Sequence, residues 1–370
     1  MSRIFLFSRD PGGARALIPL LEPLAAQGFE ALLYGKDFAL GCYQQAGFSG
    51  LELPPDVSPG ELASFMGRLA PDCIVTGTSA DDFTEKWLWR AASQFNIPSI
   101  AILDQWMNYG VRFSSGGLSD AVHDRDYTPD RIALMDAFAR AEMLALGFEP
   151  QTLVVTGQPY FQWIHERSRT WTPQDVQTLR NQLGIPLDAR ALTFASQPLE
   201  TLYEGRSPYG YSEVTTLTAI LTALQTLLDD PQMPPICLIV KLHPREAPDR
   251  LASVIRAWSH PKLRIMLNRE TDPDEMIAVS DVVIGMFSML LIEAFMACKP
   301  IVSAQLNLTG DDPFVLSRRG YVCAITSQEA LLAELRGLLL NPPASLPALD
   351  WIQTPTQNVI HLIQSLTTNG

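Results

Sequence analysis

Four polar side chains follow two apolar runs in the second half of the chain and could act together on a ligand. Lys241 and His243 close one run, and Ser196 and Gln197 close another. If both runs are strands of one parallel sheet, their carboxyl ends meet at one edge, where a cation and an imidazole can bind a diphosphate. Taken alone, His243 could be a packed histidine bonded to a backbone carbonyl, and Ser196 could be a turn residue. Their convergence favours a ligand site.

The segment Ser280–Ser303 predicts a phosphate-binding turn between a strand and a helix. Asp281–Ile284 is a β-branched run typical of a buried parallel strand, and Gly285 ends it. Ser288 is a natural N-cap for the helix that follows, and Lys299-Pro300 ends that helix. The helix therefore begins at the carboxyl end of a strand, where its unpaired N–H groups and partial positive charge can hold a phosphate.

Glu293 stands within this helix, which is apolar on nearly every side. Burying an ionised carboxylate costs several kcal/mol unless it is paired or hydrogen-bonded. One interpretation is a structural partner such as Lys299 or a backbone amide. The other is that Glu293 accepts hydrogen bonds from ligand hydroxyls, as acidic residues do with ribose in dinucleotide-binding folds.

Two aspartates of the first half also follow predicted strands. Asp10 begins the run Asp10-Pro11-Gly12-Gly13, in which Gly12 and Gly13 allow close approach of the backbone to a ligand. Asp10 could be a catalytic base or the N-cap of the next helix. Asp104 is the second candidate base, and the residues do not decide between the two.

Two aromatic residues follow Asp104 in a loop that runs to Gly117. Trp106 and Tyr109 could stack on the face of an acceptor sugar, or they could form a lid over the core. Both alternatives stay open at the level of sequence.

Composition excludes several classes of protein. The chain has 370 residues, 47% hydrophobic and 18% charged, with a net charge of −13. This charge, without Lys or Arg clusters, argues against nucleic acid as a partner and against a patch for anionic membranes. The apolar run at the N-terminus is too short for a signal peptide, and no run of about eighteen apolar residues could span a bilayer, so we expect a cytoplasmic protein. Peripheral membrane contact stays open, because Trp87-Leu88-Trp89 could be core or an exposed patch.

Neither cysteines nor histidines show a metal-binding pattern. The five cysteines are scattered, odd in number and without a CxxC, and the five histidines show no HExxH. We therefore expect buried thiols in a reducing compartment, and we predict no metal site and no cofactor.

Strand and helix patterns alternate along the chain, as in doubly wound sheets. The predicted strands are Ile4–Phe7, Ala31–Tyr34, Cys73–Thr76, Ser99–Leu103, Arg131–Met135, Val154–Val155, Leu192–Ala195, Cys237–Leu242, Leu263–Met266, Asp281–Ile284 and Ile301–Val302. The predicted helices are Ala14–Gln27, Asp37–Ala46, Glu85–Phe95, one ending at Leu146, Pro173–Leu183, Glu213–Leu228, Pro248–Trp258, one after Ser288, Gln328–Leu339 and Thr356–Ser365.

These patterns predict two Rossmann-like α/β domains that face each other across a cleft. We place the acceptor-side domain at residues 1–157 and the donor-side domain at 158–345, because Thr156–Tyr160 ends a strand and begins a connection. Residues 346–370 contain a helix that could cross back to the first domain.

The motifs of the second half are similar to those of a known superfamily. KLHPRE, followed some forty residues later by SDVVIGMFSMLLIEAFMACKPIVS, resembles the donor-binding half of GT-B glycosyltransferases. The likeness is greatest to the branch with nucleotide-sugar 2-epimerases, CDP-glycerol glycerophosphotransferases and bacterial polysialyltransferases. VVTGQPYF resembles the TGNP-type linker that opens the second domain in this superfamily.

The resemblance implies roles for individual residues. His243 and Ser288 would contact the donor phosphates, Glu293 the ribose hydroxyls, and Asn268 and Thr271 would lie near the nucleobase. The epimerases usually have a serine-glycine-glycine loop where this chain has Gly285-Met286-Phe287-Ser288, which argues against epimerase chemistry. The backbone amides of Gly285 and Phe287 could still bind phosphate.

The residues and the resemblance together predict a metal-independent GT-B glycosyltransferase. It would move a sugar from a nucleotide-activated donor, with UDP as the working carrier, to a hydroxyl of a carbohydrate or lipid-linked acceptor. An aspartate would deprotonate that hydroxyl, and His243, Lys241 and the helix N-terminus would stabilise the departing phosphate. The alternatives are a nucleotide-sugar 2-epimerase or hydrolase, a CDP-polyol phosphotransferase, and a non-catalytic module that binds nucleotide-sugar.

Overall fold

The chain folds into two compact units, each built on one parallel sheet. A computed structural model describes residues 1–54, 56–117, 124–205, 207–244, 246–343 and 354–367. The first unit contains the described residues of Met1–Trp163 and Leu349–Gly370, and the second contains those of Ile164–Ala348. The predicted boundary between residues 345 and 346 lies outside the described residues.

Strands and helices alternate throughout the first half of the chain. In chain order they are β1 (Arg3–Ser8), α1 (Pro11–Leu17), α2 (Leu21–Ala26), β2 (Glu30–Gly35), α3 (Phe38–Gln45), β3 (Leu51–Glu52), α4 (Pro59–Leu69), β4 (Cys73–Thr76), α5 (Thr84–Gln94), β5 (Ser99–Ile102), α6 (Tyr109–Arg112), β6 (Arg131–Leu134), α7 (Ala137–Ala145), β7 (Leu153–Val155) and α8 (Pro159–Ser168). The strands pair in parallel in the order β3-β2-β1-β4-β5-β6-β7.

The second half repeats the alternation. Its elements are α9 (Pro173–Leu183), β8 (Arg190–Ala195), α10 (Leu199–Leu202), α11 (Glu213–Leu228), β9 (Ile236–Lys241), α12 (Pro248–Arg256), β10 (Leu263–Asn268), α13 (Pro273–Val279), β11 (Val282–Gly285), α14 (Met289–Met296), β12 (Ile301–Ala304), α15 (Val315–Arg318), β13 (Ala324–Ile325), α16 (Gln328–Leu340) and α17 (Pro355–Thr367). The strands again pair in parallel, in the order β10-β9-β8-β11-β12-β13.

In both sheets the strand order reverses beside the strand that comes first in the chain. The chain leaves β1 toward β2 on one side and later returns to β4 on the other, and β8 stands in the same relation to β9 and β11. Ligands of open α/β sheets bind at the strand carboxyl ends beside such a switch point. The predicted α/β class with two parallel, doubly wound sheets is therefore confirmed.

Apolar side chains cover both faces of each sheet. In the first unit, the inner strands bury residues such as Ile4 and Leu6 on one face and Phe5 and Phe7 on the other. Because parallel strands are sandwiched between helices, they read as continuous apolar runs, and this is why sequence periodicity locates them. α17 belongs to the first unit and packs against β4 with its buried apolar side chains.

Trp87-Leu88-Trp89 belongs to the core side of α5. Leu88 and Trp89 are buried, and the Trp89 indole N–H donates to the Thr76 hydroxyl at 2.8 Å. Trp87 is half-buried and stacks on Phe83. These contacts support the core alternative for the segment.

Some predicted elements differ from those in the structure. The helix predicted over Ala14–Gln27 is wrong as one helix, because the chain tightens into a 3₁₀ turn at Ile18–Leu20 between α1 and α2. Pro19 lacks the N–H that an α-helix would use at that point. Several short elements and two longer helices, α4 and α8, were not predicted from the sequence.

Candidate functional site

In the second unit, three neighbouring strands end beside the switch point. Ser196 directly follows β8. One residue separates His243 from the end of β9, and two residues separate Ser288 from the end of β11. We call Ser196, Gln197, His243, Glu246, Phe287 and Ser288 the second-unit cluster. The parallel register, with Ala195 opposite both Lys241 and Gly285, explains why these positions meet although they are far apart in sequence.

A buried carboxyl group joins the ends of β8 and β9. The Ser196 hydroxyl donates to Glu246 Oε1 at 2.9 Å, and the His243 backbone N–H donates to Glu246 Oε2 at 3.2 Å. Burial raises the pKa of Glu246. Glu246 was not predicted as a site residue, although it is the last residue of the KLHPRE motif. Its backbone N–H also donates to the His243 carbonyl at 2.9 Å. A polar residue three positions after the histidine was the available signal.

The turn between β11 and α14 is held from two sides. Gln197 Oε1 accepts the Phe287 N–H at 3.0 Å, and the Ser303 hydroxyl donates to the Met286 carbonyl at 2.7 Å. A Cβ at Gly285 would lie 3.1 Å from the Ala195 carbonyl oxygen, so glycine allows β11 to pass close to β8. The predicted residues Gln197, Gly285 and Phe287 therefore shape the turn itself.

Ser288 occupies the N-cap position of α14 but does not cap it. Its backbone is extended, at φ −71° and ψ 156°, and its side chain accepts no hydrogen bond from the helix. Within the part of the chain that the structure describes, the buried Ser288 Oγ has no hydrogen-bond partner. An orphaned hydroxyl beside the first amides of a helix suits an oxygen-rich ligand such as phosphate.

Glu293 lies on α14 and is only 3% exposed. Lys299, the cation considered for it, donates instead to the backbone carbonyls of Ala278 at 2.9 Å and Ser280 at 2.8 Å. Burial lowers the pKa of Lys299 to about 8. Ribose binding by Glu293 stays a prediction.

Lys241 organises the loop after β10. Its ammonium donates to the carbonyls of Arg269 and of Thr271, the latter at 2.6 Å, and burial lowers its pKa. Asn268 Nδ2 donates to the Thr271 hydroxyl at 2.8 Å in the same loop. The contacts of Lys241 are therefore structural, whereas its role toward phosphate and the roles of Asn268 and Thr271 toward a nucleobase stay predictions.

The switch point of the first unit gathers a second set of polar groups. Asp10 follows β1, Ser79 lies in the loop after β4, and Asp104 follows β5. Together with Glu85 and Arg112 these residues form what we call the first-unit cluster. It contains both aspartates that the sequence offered as catalytic bases.

Asp10 and Asp104 lie close to each other across Gly12. A Cβ at Gly12 would lie 1.8 Å from Asp104 Oδ2 and 2.8 Å from its Cγ, so any larger residue there would displace the Asp104 side chain. Asp10 stands at the N-cap position of α1 without a side-chain cap bond, which argues against the capping alternative. Burial raises the pKa of Asp10, and the charge of nearby Asp104 adds to the rise. Gly13 serves packing, since its Cβ would lie 3.0 Å from Gly77 Cα.

Two buried partners of this cluster escaped the sequence analysis. Arg112 donates to Asp104 Oδ1 at 2.8 Å and to the Thr78 hydroxyl at 2.8 Å. Glu85, 1% exposed, accepts the Ser79 N–H at 2.6 Å, and burial raises its pKa to about 8. No local pattern marks Arg112, because it reaches Thr78 across 34 residues of sequence, and no motif marks Glu85, although its partner Ser79 is only six residues away.

Trp106 and Tyr109 are buried by protein contacts. The Trp106 indole N–H donates to Asp136 Oδ2 at 2.9 Å and its ring stacks on Phe161, and the Tyr109 hydroxyl donates to Glu142 Oε2 at 2.6 Å. These contacts favour the lid interpretation over stacking on an acceptor sugar, because burial covers both rings.

The described residues show neither a metal centre nor a membrane span. No group of three or more His, Cys, Asp or Glu residues within them is arranged to hold a metal ion. No helix among them is both long enough and apolar enough to cross a membrane.

Solved structures with a similar fold include UDP-GlcNAc 2-epimerases and a glycosyltransferase. No family model and no curated protein sequence matches the chain. The UDP-GlcNAc 2-epimerase of Methanocaldococcus jannaschii matches with a TM-score of 0.69 at 13% identity, over 100% of both chains. That of Neisseria meningitidis, bound to UDP-GlcNAc, matches with a TM-score of 0.68 at 12% identity, over 100% of both chains. A glycosyltransferase of Rickettsia africae matches with a TM-score of 0.59 at 13% identity, over 100% of this chain and 96% of the other.

At such low identity these likenesses establish the fold alone. They agree with the resemblance drawn from KLHPRE and the Ser280–Ser303 segment. The chain has the two-domain, Rossmann-like GT-B fold, and its predicted likeness to the superfamily branch that contains nucleotide-sugar 2-epimerases is confirmed at the level of fold.

Proposed function

We propose that this protein is a GT-B glycosyltransferase that moves a sugar from a nucleotide-activated donor to an acceptor hydroxyl. The observation that carries the proposal is the second-unit cluster. Its buried Ser288 hydroxyl is unpartnered among the described residues and lies at the start of α14, beside the ends of β8 and β9. The bound UDP-GlcNAc of the Neisseria enzyme supports a nucleotide-sugar as the ligand class.

In this proposal the donor diphosphate lies against the start of α14. When the sugar leaves, negative charge grows on the phosphate, and fixed dipoles that already point at it stabilise that charge without reorganisation. The amides of the first turn of α14 and the Ser288 hydroxyl would donate to its oxygens, and His243 would lie on the β9 side. This arrangement can do the work that a divalent metal does in other transferases.

Asp10 is the better candidate for the base that deprotonates the acceptor. Its side chain is 33% exposed against 13% for Asp104, and one Asp104 oxygen is held by Arg112. Burial raises the pKa of Asp10, which increases its basicity toward a hydroxyl. Asp104 and Arg112 would then orient the acceptor side of the reaction.

A nucleotide-sugar 2-epimerase is the second candidate. Such an enzyme needs several carboxyl groups near the reacting sugar carbon, and the first-unit cluster contains Asp10, Glu85 and Asp104. The two functions differ in a simple measurement. An epimerase that proceeds by elimination or hydrolysis consumes UDP-GlcNAc and releases products without any acceptor, whereas a transferase does so only slowly.

The first test is nucleotide binding by wild type and Ser288→Ala. UDP, CDP, GDP, ADP and CMP are each added at saturating concentration, and thermal unfolding is recorded. A ligand at 100 times its Kd stabilises the protein by about 2.7 kcal/mol, which raises the melting temperature. We expect one nucleoside diphosphate to do so in wild type and to lose most of its effect in Ser288→Ala.

The matched control for this test is Ser253→Ala, which removes an exposed hydroxyl on α12. It should respond to the nucleotide like wild type. If none of the five nucleotides shifts the melting temperature of wild type, the proposed function is wrong. If Ser288→Ala responds as strongly as wild type, the nucleotide binds elsewhere.

A further inference from the structure

Arg9, a cation beside the first-unit cluster, already pairs with carboxylates of the protein. The Arg9 guanidinium donates to Asp37 at 2.8 Å, to Asp81 at 2.6 Å and to Asp10 at 3.3 Å. The backbone of Asp37 has φ +53°, a conformation that residues other than glycine rarely adopt. One guanidinium thus serves three carboxylates at the ends of β1, β2 and β4.

The other cations of this region are equally occupied. Arg112 serves Asp104 and Thr78, as described above. Lys36 donates to Asp82 at 3.0 Å, and the buried Lys86 ammonium donates to the carbonyls of Val111 and Ser114, both at 2.9 Å. Carboxyl groups outnumber these cations, and each cation already has its own acceptors.

A second, independent observation points to a ligand. Glu85 Oε2 accepts the Ser79 N–H, while the buried Glu85 Oε1 has no hydrogen-bond partner anywhere in the described residues. A Cβ at Gly77 would lie 3.1 Å from this oxygen and 2.8 Å from Gly13 Cα, so the carboxyl group lies where the loop after β4 meets the first turn of α1. The negative charge of Asp10 also acts on it. A buried carboxyl oxygen without a partner marks a place where a group that can hydrogen-bond to it, such as a hydroxyl, is needed.

The chemistry of these groups selects the ligand. Ionised carboxylates only accept hydrogen bonds, so they bind hydroxyl or ammonium donors. A phosphate or carboxylate brought to the same place would meet like charge, and every nearby cation in the described part of the chain is already engaged. Like charges placed together repel each other and so weaken the binding of an anionic ligand.

We propose that the first-unit cluster binds a hydroxylated ligand that is neutral or cationic, such as a hexose or a hexosamine, and rejects phosphorylated and carboxylated sugars. This inference rests on the proposed function in one respect, because the bound sugar would be the acceptor of the transfer. Asp10 and Asp104 accept hydrogen bonds from its hydroxyls, and Asp10 thereby reaches the hydroxyl that it deprotonates.

The test is binding of four matched pyranoses to the full chain. Glucose, glucosamine, glucuronate and glucose 6-phosphate share one ring and differ in charge, and saturation-transfer NMR with titration measures each affinity. We expect glucose and glucosamine to bind and the two anionic sugars to bind about tenfold more weakly or worse, because of like-charge repulsion. Asp10→Asn and Asp104→Asn should each weaken glucosamine binding and narrow the difference between the four sugars.

Glu30→Gln is the matched control, since Glu30 is an exposed acid at the opposite, amino end of β2. It should leave all four affinities unchanged. Equal or tighter binding of glucuronate or glucose 6-phosphate by wild type overturns the inference, and this comparison needs no variant to fold. Affinities that do not change in either Asp10→Asn or Asp104→Asn, with both variants folded, also overturn it.

The nucleotide test described above separates this inference from the proposed function. If UDP or another nucleotide binds and none of the pyranoses does, the sugar inference fails while the proposed function stands. If the pyranoses bind in the expected order and no nucleotide binds, the proposed function fails while the selectivity of the first-unit cluster stands.

Discussion

At the scale of single residues, the pKa of Glu85 depends on its burial and on the charges of neighbouring carboxylates. Burial is the largest cause of its raised pKa, followed among the unfavourable effects by the negative charges of Asp10 and Asp82. The neighbouring Lys86 donates its ammonium hydrogens to backbone carbonyls and does not pair with Glu85. At neutral pH Glu85 therefore carries a proton, so its buried carboxyl group is uncharged.

This protonation predicts a pH dependence of stability. The unfolded chain loses the Glu85 proton near its ordinary pKa of 4.5, whereas the folded chain keeps it up to about pH 8. The stabilising effect is therefore complete below pH 4.5 and is lost as the pH rises to 8, by about 1.4 kcal/mol per pH unit from this group. Glu85→Gln, which keeps the shape without the titration, should remove this slope.

Urea unfolding at several pH values between 5 and 8 measures the effect. The free energy of unfolding of Glu85→Gln should rise relative to wild type as the pH increases. Glu30→Gln, with its exposed acid, should follow wild type. Parallel curves for wild type and Glu85→Gln would show that Glu85 titrates in the folded protein as it does in the unfolded chain.

At the scale of elements, the turn between β11 and α14 depends on a buried network centred on Gln305. Gln305 Nε2 donates to the Ser303 hydroxyl at 3.0 Å and to Asp312 Oδ1 at 2.7 Å, and its Oε1 accepts the Tyr211 hydroxyl at 3.1 Å. Ser303 in turn holds the Met286 carbonyl. The network thus links the turn to β12 and to two loops of the same unit.

Gln305→Ala should be strongly destabilising. It removes one hydrogen-bond partner each from Tyr211, Ser303 and Asp312 and opens a cavity, which together cost about 2–4 kcal/mol in the free energy of unfolding. Gln174→Ala on the exposed face of α9 is the control and should change it by no more than about 0.5 kcal/mol. Equal effects of the two substitutions in urea unfolding would mean that the network contributes nothing.

Local signals explain which elements the sequence predicts. The predicted bounds of α9 and α11 agree with the structure, because each helix begins with a capping box, at Thr172 and Ser212. α4 has the same signal, with Ser58 and Glu61 around Pro59, and was nonetheless missed. The two-residue strand β3 is too short to show a period.

The candidate sites divide in the same way. Parallel topology alone predicts that Ser196, His243 and Ser288 lie at neighbouring strand ends, since successive strands of such sheets end on one edge. Arg112 could not be predicted, because its partners depend on the paths of loops that no local pattern determines, whereas the position of Glu246 three residues after His243 was a local signal. Site residues at strand ends can be predicted from a sequence, whereas contacts between residues of distant loops cannot.

At the scale of the whole molecule, α17 completes the first unit from the far end of the chain. Val359, Ile360 and Ile363 are fully buried among residues of β1, β4 and their neighbours. The Asn358 amide donates to the Thr156 carbonyl at 2.9 Å, and a Cβ at Gly157 would lie 2.6 Å from Pro355 Cγ. The T-G-Q-P segment is therefore shaped to receive the start of this helix.

Ile360→Ala should destabilise the first unit selectively. Removing a fully buried isoleucine side chain costs about 2–5 kcal/mol. Hydrogen exchange followed by mass spectrometry should then show faster exchange in β1 and β4 and unchanged exchange in β8 and β9. Leu146→Ala, at an exposed position after α7, is the control. Faster exchange confined to β8 and β9 would contradict the assignment of α17 to the first unit.

This placement of α17 has a consequence for how the protein is made. On the ribosome, the residues up to Trp163 emerge first, but their last helix follows only after the whole second unit. At about 5–20 residues per second, that interval lasts on the order of 10–40 s. During it the part of the apolar sheet face that α17 later covers, beside β4, lacks this helix. Of the two units, the one whose synthesis begins first is therefore completed last.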